Sequence, residues 1–283
     1  MARQSILISV QLIVLFIVFA SCKKSPPLVP PPQVSAPPPV NYTIEVNPSV
    51  LYKVRQKINE SIGGFYASVP FNYQQAKHPY PALIFFHGDG QKGDGNVDLD
   101  KLAIDGMGKM LFEKKFPISF NHSGNPFSFL VFCPQFSRNP NPEQVMGFID
   151  HLVKTYRIDT NRIYLSGLSS GGIVITEAAA KYPQRIAAMV PMGGVVTSNL
   201  PANGAMLAKG KVATWVFHNE NDPLIKVSTA RNFINAINNA APQIPAILTV
   251  FPVTGHDAWT EAISPTYKEK EKNIYEWMLG FSR

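Results

Sequence analysis

Cysteine is scarce in this chain of 283 residues, which contains only Cys22 and Cys133. Cys22 follows an N-terminal apolar run and is a candidate for lipid attachment, which would leave Cys133 without a disulfide partner. Cys133 lies in the strand-like run FSFLVFCPQF, a setting typical of a buried and unreactive thiol. We therefore expect no intrachain disulfide, even in a compartment that would permit one.

Charged residues are also sparse, at 16% of the chain, and no Lys/Arg cluster concentrates the net charge of +7. The densest basic stretches are CKKS near the N-terminus and KEKEK at residues 268–272, and glutamates interrupt the second. Such interleaving is typical of a solvated helix face rather than of a groove that binds nucleic acid. The sequence therefore predicts no nucleic-acid partner, while the hydrophobic content of 45% predicts a sizeable globular core.

The sequence lacks a comfortable membrane span, because the N-terminal apolar run at residues 6–20 falls short of the roughly 20 residues that a spanning helix needs. The run follows the basic start MARQS, and Phe19-Ala20-Ser21-Cys22 at its end resembles a bacterial lipobox, with Phe19 in place of the usual Leu. We expect a lipoprotein signal peptide at residues 1–21, with lipid on Cys22 as the only attachment to a membrane. An uncleaved signal anchor is the alternative, and both place the rest of the chain outside the cytoplasm, in the periplasm or at the cell surface.

Proline dominates residues 25–39, SPPLVPPPQVSAPPP, and excludes both a helix and a central strand there. Such a segment favours an extended polyproline conformation and is typical of a semi-rigid spacer. We assign residues 22–41 to the lipidated cysteine and this linker, and residues 42–283 to a single folded domain.

Beyond the linker, continuous apolar strands alternate with segments of helical spacing. This alternation predicts an α/β fold, in which helices cover both faces of a mostly parallel sheet. It predicts a first strand at residues 42–46, helices at 100–115 and from Pro142, and a final helix at 267–281. In such sheets, reactive groups gather in the loops after the carboxyl ends of the strands.

One of these loops, YLSGLSSGG at residues 164–172, contains three serines. Only Ser169 is flanked by glycine two residues before and two residues after, as the pattern G-x-S-x-G requires. The tight turn that exposes a nucleophilic serine brings those two positions so close that only small residues fit. A strand-like run precedes this turn and a helical one follows it, so the sequence predicts Ser169 as a nucleophile rather than part of a flexible loop.

Two later loops supply a candidate acid and a candidate base. Asp222 follows the apolar run TWVF, where a carboxylate would orient a histidine, and capping of the next turn is the structural alternative. His256 follows the last apolar strand, where it would accept the proton of Ser169 and return it to the leaving group. Glu220 competes with Asp222, and Asp257 ranks lower because it adjoins His256. The chain order of serine, acid and histidine is that of the α/β-hydrolases.

The negative charge of a tetrahedral intermediate requires hydrogen-bond donors. We expect one donor to be the backbone N–H of Ser170, at the start of a helix whose dipole favours negative charge. The other is predicted in the turn FFHGDGQ, as the N–H of Asp89 or, second, of Gly90. His87 is expected to brace this turn rather than to transfer protons.

A stretch of acidic residues has near EF-hand spacing, and its oxygen ligands are Asp94, Asn96, Asp98, Asp100 and Asp105. Leucine occupies the position where such a calcium loop needs glycine, and Asp105 takes the place of the bidentate Glu. The sequence therefore favours loop solvation and helix capping over a calcium site.

Taken together, the segments YPALIFFHGDGQKGDG, VFCPQF, IDTNRIYLSGLSSGGIVITEAAAKYPQRIAAMVPMGG, WVFHNENDPL and GHDAW resemble the α/β-hydrolase esterases of the phospholipase/carboxylesterase-like, or predicted peptidase, family. These enzymes are close to feruloyl and acetylxylan esterases. The resemblance covers nearly all of residues 60–283 and implies a triad of Ser169, Asp222 and His256 with no metal or organic cofactor. Two departures are Asn219, where the family often has Gly, and Asp89, where Ala or Gly is common.

The resemblance implies a catalytic domain that hydrolyses carboxylic esters through an acyl-enzyme, with acetyl or feruloyl esters of plant polysaccharide as the expected substrates. A peptidase of the same fold and a non-catalytic binding lipoprotein on a hydrolase scaffold are the alternatives. Trp259 and Gln135 are candidates to line the substrate pocket, and packing accounts for them about as well.

Overall fold

The computed structural model describes residues 43–283, whose centre is an eight-stranded sheet. The strands in chain order are β1 (Val50–Val54), β2 (Ile62–Val69), β3 (Tyr80–Phe86), β4 (Phe120–His122), β5 (Asn125–Phe127), β6 (Leu130–Phe136), β7 (Ile158–Leu168), β8 (Ala188–Met192), β9 (Ala213–Asn221) and β10 (Ile247–Thr254). The order across the large sheet is β1-β2-β6-β3-β7-β8-β9-β10, while β4 and β5 form a separate hairpin. β2 is antiparallel to both β1 and β6, and all other neighbouring strands of the large sheet are parallel.

Helices cover both faces of this sheet, so the predicted α/β fold class is confirmed. They are α1 (Gly106–Phe112), α2 (Pro142–Thr155), α3 (Ser170–Lys181), α4 (Leu200–Lys209), α5 (Val227–Asn239), α6 (Trp259–Ala262) and α7 (Ile274–Met278). Successive side chains of β3 point to opposite faces, as in any strand. Ala82, Ile84 and Phe86 join the hydrophobic cluster under α2, α3, α4 and α5, whereas Leu83 and Phe85 join the cluster under α1, α6 and α7. Burial on both faces explains why the central strands are continuous apolar runs in the sequence.

Local sequence signals set several helix ends. α2 begins at Pro142, as predicted, with Asn141 as its N-cap. The Asn141 side chain accepts from the Gln144 N–H at 2.9 Å, and the Gln144 side chain accepts from the Asn141 N–H at 3.0 Å. This reciprocal capping box satisfies backbone donors that lack partners at a helix start.

Three predicted elements differ from the structure. Residues 43–46 are irregular, and the first strand is instead β1, which pairs with β2 at the sheet edge. The helix predicted at 100–115 is divided, because the extended Asp105 separates a 3-10 helix (Val97–Ile104) from α1, whose first residue Gly106 has a φ of +60°. The final helix is restricted to α7, since Lys270 and Glu271 adopt positive φ in a turn before it.

Three parts of the structure were not predicted: the β4–β5 hairpin, α4 and the short helix α6. The β4–β5 hairpin turns at Ser123 and Gly124, both with positive φ, which is the backbone that a two-residue hairpin needs. α4 is a short helix that packs on α5. α6 begins at the pocket candidate Trp259, whereas the hairpin and α4 carry no residue of the predicted site.

The predicted signal peptide, lipidated Cys22 and proline-rich linker lie outside the described residues and stay predictions. Among residues 43–283, no helix is long and apolar enough to cross a bilayer. Cys133 is a buried free thiol, and burial raises its pKa above the usual range. This agrees with the interpretation of Cys133 as an unreactive core residue.

Candidate active site

The loops after four parallel strands converge at one edge of the sheet. The turn at Gly88 and Asp89 follows β3, Ser169 follows β7, Asp222 follows β9, and His256 follows β10. Because parallel strands end at the same edge, residues far apart in the chain come within hydrogen-bonding distance there.

Ser169 occupies a strained turn between β7 and α3, with φ +51° and ψ −120°. A Cβ added at Gly167 would lie 2.7 Å from the Gly171 backbone, and one at Gly171 would lie 2.1 Å from the Phe86 carbonyl oxygen. Side chains at these two positions are therefore excluded by backbone atoms that cannot move aside. This is the steric condition that the G-x-S-x-G spacing predicts.

The structure brings Ser169, His256 and Asp222 into one hydrogen-bonded chain. His256 Nε2 lies 2.8 Å from Ser169 Oγ, and His256 Nδ1 lies 2.6 Å from Asp222 Oδ2. The imidazole is 16% exposed, whereas the Asp222 side chain has no exposed surface. The Nδ1–H donates to the carboxylate, and in the neutral imidazole Nε2 then presents a lone pair to the serine hydroxyl.

Asp222 stays ionised despite its burial. Burial alone would raise its pKa, but N–H groups of Ile225 and Leu224 and the His256 imidazole lower it below the usual range. Those two N–H groups donate to Oδ1 at 3.0 and 2.8 Å. The ionised carboxylate can therefore orient His256 and stabilise its protonated form.

The competing residues have other partners. Glu220 pairs with Arg231 at 2.7 Å on the surface. Asp257 accepts from the Trp259 and Thr260 N–H groups at the start of α6. Ser166 is fully buried, and its hydroxyl donates to the Val190 carbonyl oxygen at 3.0 Å.

The turn after β3 lies against the serine. A Cβ on Gly88 would lie 3.3 Å from Ser169 Cβ, so the backbone of Gly88 and Asp89 passes directly beside the nucleophile candidate. Ser170 begins α3, where the N–H groups of the first turn have no partner within the helix. Asp89 and Ser170 are thus both next to Ser169, where their N–H groups would serve an oxyanion.

His87 braces that turn. Its Nδ1 donates to the Gly88 carbonyl oxygen at 2.7 Å, and its Nε2 accepts from the Phe136 N–H at 3.1 Å. Its ring stacks on Phe136 at 3.7 Å, and burial lowers its pKa to about 4. The side chain of Asp89 is exposed and pairs with Lys92 at 2.7 Å, and Lys92, together with the Ser170 hydroxyl, lowers the pKa of its carboxyl.

Of the two pocket candidates, Gln135 lies beneath the surface. Its side chain has no exposed area, and its amide bonds the backbone of Gln91, Asp98 and Gly95. This burial argues against the pocket role predicted for Gln135, because its polar atoms are all bonded to loop backbone. Packing against the loop backbone, the alternative to a pocket role, accounts for the Gln135 side chain.

Trp259 is 7% exposed and contacts the predicted base. Its indole packs edge to face on the His256 ring, with 5.2 Å between the ring centroids, and its Nε1–H donates to Asp105 Oδ2 at 2.9 Å. The burial favours a packing role over a wall of a substrate pocket. Sequence spacing did not indicate the link to Asp105.

The residues with near calcium-loop spacing do not converge. Asp94 accepts from the Asn96 and Asp98 N–H groups, and Asp100 pairs with Lys53. Asp105 caps α1 by accepting from its first N–H. Within residues 43–283, no group of three or more His, Cys, Asp or Glu side chains is arranged to hold a metal ion.

Comparison with known proteins places this site in context. Residues 136–272 match the protein-family model described as Phospholipase/Carboxylesterase. A bifunctional acetylxylan esterase/xylanase from Neocallimastix patriciarum is 33% identical over 90 residues, which are 32% of this chain and 13% of that protein. The match therefore spans only a small part of that relative.

Solved structures share the fold. A thermostable esterase superposes with a TM-score of 0.54 at 22% identity, over 83% of this chain and 63% of that one. Thermogutta terrifontis esterase 2, phosphonylated by cyclosarin, gives a TM-score of 0.50 at 13% identity, over 82% of this chain and 90% of that one. These superpositions confirm the α/β-hydrolase fold, and the family-model match over residues 136–272 agrees with the resemblance drawn from the sequence motifs.

Proposed function

We propose that this α/β-hydrolase cleaves carboxylic esters through a covalent acyl-enzyme. The observation that carries the proposal is the hydrogen-bonded chain from Ser169 through His256 to the buried carboxylate of Asp222. A free serine hydroxyl is a weak nucleophile, and a base at 2.8 Å whose other nitrogen is held by a carboxylate activates it.

In the acylation step, Ser169 Oγ attacks the ester carbonyl carbon while its proton passes to His256 Nε2. The tetrahedral oxyanion accepts hydrogen bonds from the N–H groups of Ser170 and Asp89. Collapse breaks the bond to the alkoxy oxygen, and His256 gives the proton to the departing alcohol. Each oxyanion donor of this kind contributes about 10²–10³-fold in rate.

In the deacylation step, His256 removes a proton from water as the water oxygen attacks the acyl carbon. The second oxyanion collapses, the bond to Ser169 Oγ breaks, and His256 returns the proton to that oxygen. The products are a carboxylic acid and the regenerated serine, so one water is consumed in each cycle.

As substrates we propose acetyl or feruloyl esters of plant polysaccharide. The acetylxylan esterase relative supports the acetyl ester, and the resemblance of the motifs to feruloyl and acetylxylan esterases supports both acyl groups. The predicted extracytoplasmic location agrees with a polymeric substrate that cannot enter a cell.

The decisive comparison is between two adjacent serines. Protein lacking residues 1–40 should hydrolyse p-nitrophenyl acetate, and Ser169→Ala should lower kcat by about 10⁴-fold or more because the nucleophile is lost. Ser170→Ala is the matched control and should retain most activity, because only its backbone N–H acts on the oxyanion. An active Ser169→Ala protein together with an inactive Ser170→Ala protein would refute the assignment.

The same preparation, assayed on acetylated xylan, feruloylated arabinoxylan and peptides, tests the substrate class. Release of acetate or ferulate without peptide cleavage is expected. Cleavage of peptides alone would favour the peptidase alternative.

A further inference from the structure

The loop that carries His256 lies at an edge of the sheet. β10 is the last strand, and its residues 252–254 are exposed. The pairing of β10 with β9 shifts register between Phe251 and Thr254, and Gly255 then adopts a φ of +121°. An edge segment with broken pairing needs another restraint to hold an imidazole in place, because few backbone bonds remain.

One side chain supplies that restraint. Asn219 projects from β9, is 1% exposed, and donates from Nδ2 to the Gly255 carbonyl oxygen at 2.9 Å. The same Nδ2 donates to the Asp257 carbonyl oxygen at 3.1 Å. The two acceptors belong to the residues immediately before and after His256, so both hydrogens of one amide hold the carbonyl groups of the residues that flank the base.

The orientation of this amide follows from its partners. Carbonyl oxygens accept hydrogen bonds and cannot donate them, so the NH₂ end of Asn219 must face the loop. The opposite end, Oδ1, is buried with no hydrogen-bond partner among residues 43–283. A buried acceptor without a partner costs free energy. This indicates that asparagine contributes at position 219 through its two N–H donors.

We propose that Asn219 is a positioning residue for the proposed hydrolysis, acting by fixing the loop that aims His256 at Ser169. This inference rests on the proposed function and extends it to a residue that does not touch the reacting atoms. β9 carries Asn219 and leads directly to Asp222, so one strand sets both the carboxylate partner of His256 and the backbone of the His256 loop.

Asn219→Asp tests the inference because it keeps the shape and replaces the two donors with a carboxylate oxygen, which repels both carbonyl groups. Asn219→Ala removes the donors without adding charge, and it replaces Asn219→Asp in the test if that variant does not fold. For either variant we expect kcat on p-nitrophenyl acetate to fall by at least about tenfold, with KM within about twofold, because misplacement of a catalytic group by about 1 Å costs up to 10²-fold in rate.

A second readout follows the chemistry at the serine alone. The rate at which a p-nitrophenyl alkylphosphonate labels Ser169 should fall by a factor similar to that for kcat/KM, since labelling also needs His256 as base. The p-nitrophenolate released in that reaction counts the competent sites, which separates slow sites from unfolded protein.

Asn238→Asp is the matched control. Asn238 Nδ2 donates to the Ala246 carbonyl oxygen at 3.0 Å and ties α5 to the start of β10, at the opposite end of the strand from His256. Loss of this hydrogen bond in Asn238→Asp should lower the thermal unfolding midpoint and leave kcat within about twofold of the parent protein.

Two results would overturn the inference. One is a folded Asn219→Asp or Asn219→Ala protein with parental kcat and labelling rate, and the other is an equal fall in kcat for Asn238→Asp. A different result would contradict the proposed function itself. In that case Ser169→Ala would remain active, and the parent protein would be phosphonylated at another residue.

Discussion

At the scale of single residues, the carboxylate of Asp222 is surrounded by donors. Leu224 and Ile225 occupy Oδ1, and His256 approaches Oδ2 at 2.6 Å. His218 Nε2 lies 3.3 Å from the same Oδ2 and 2.8 Å from the Ile225 carbonyl oxygen. Because a carbonyl only accepts, Nε2 of His218 carries the hydrogen and ties the turn that contains Ile225 to β9.

We predict that His218→Leu lowers the free energy of unfolding by about 1–3 kcal/mol, because the partly buried Ile225 carbonyl loses its donor. His218→Gln is the matched variant, since its Nε2 can reach the position of the imidazole Nε2, and it should retain most of the stability. Urea unfolding of the three proteins measures both effects. Equal losses for the two variants would show that ring packing, rather than the donor, makes the contribution.

At the scale of elements, Asp105 joins α1 to α6. Its Oδ1 accepts from the Gly106 N–H at 2.7 Å and caps α1, while its Oδ2 accepts from Trp259 Nε1 at 2.9 Å. Trp259 begins α6 and packs on the His256 ring. The Asp105 carboxylate therefore connects the start of α1 to the start of α6, which follows the loop that carries His256.

A double-mutant cycle of Asp105→Asn and Trp259→Phe measures this connection. Asparagine keeps one acceptor oxygen for two donors, so one hydrogen bond is lost, and phenylalanine removes the indole donor. We expect a coupling free energy of about 1.5–3 kcal/mol in urea unfolding, typical of a hydrogen bond to a charged group. Strictly additive losses would mean that the two side chains contribute independently.

At the scale of the whole molecule, the stability of the fold depends on a histidine that stays neutral. His87 is 1% exposed, and burial lowers its pKa from 6.5 to about 4. The unfolded chain takes up a proton near the ordinary pKa, whereas the folded chain does so only at lower pH. The stabilisation is therefore complete above about pH 6.5 and is lost as the pH falls through about 4.

As the pH falls from 7 to 5, the difference between the His87 pKa values of the folded and unfolded chains lowers the free energy of unfolding by about 2 kcal/mol. His87→Gln does not titrate in this range, so it should show a correspondingly smaller loss between the two pH values, although it is less stable at both. Urea titrations of the two proteins at each pH give the comparison. Parallel pH dependences would contradict the buried neutral state of His87.

Periodicity and local spacing by themselves determined much about this protein. Continuous apolar runs separated by segments of helical spacing specify a parallel sheet covered on both faces. A strand that is buried on both faces does not alternate apolar with polar residues. The G-x-S-x-G spacing singled out Ser169 among three serines, because a close backbone approach admits only glycine at Gly167 and Gly171. The order of Ser169, Asp222 and His256 also singled out three side chains that the fold brings together.

Only the tertiary structure decided what the remaining side chains contact. Asn219 was visible in the sequence as a departure from a common glycine, yet its amide acquires a role only when β10 folds beside β9. Gln135 and Trp259 could not be distinguished from pocket residues, because burial depends on loops far away in the chain. Local backbone preference is encoded in neighbouring residues, whereas hydrogen bonds across the ends of strands depend on how the whole sheet is assembled.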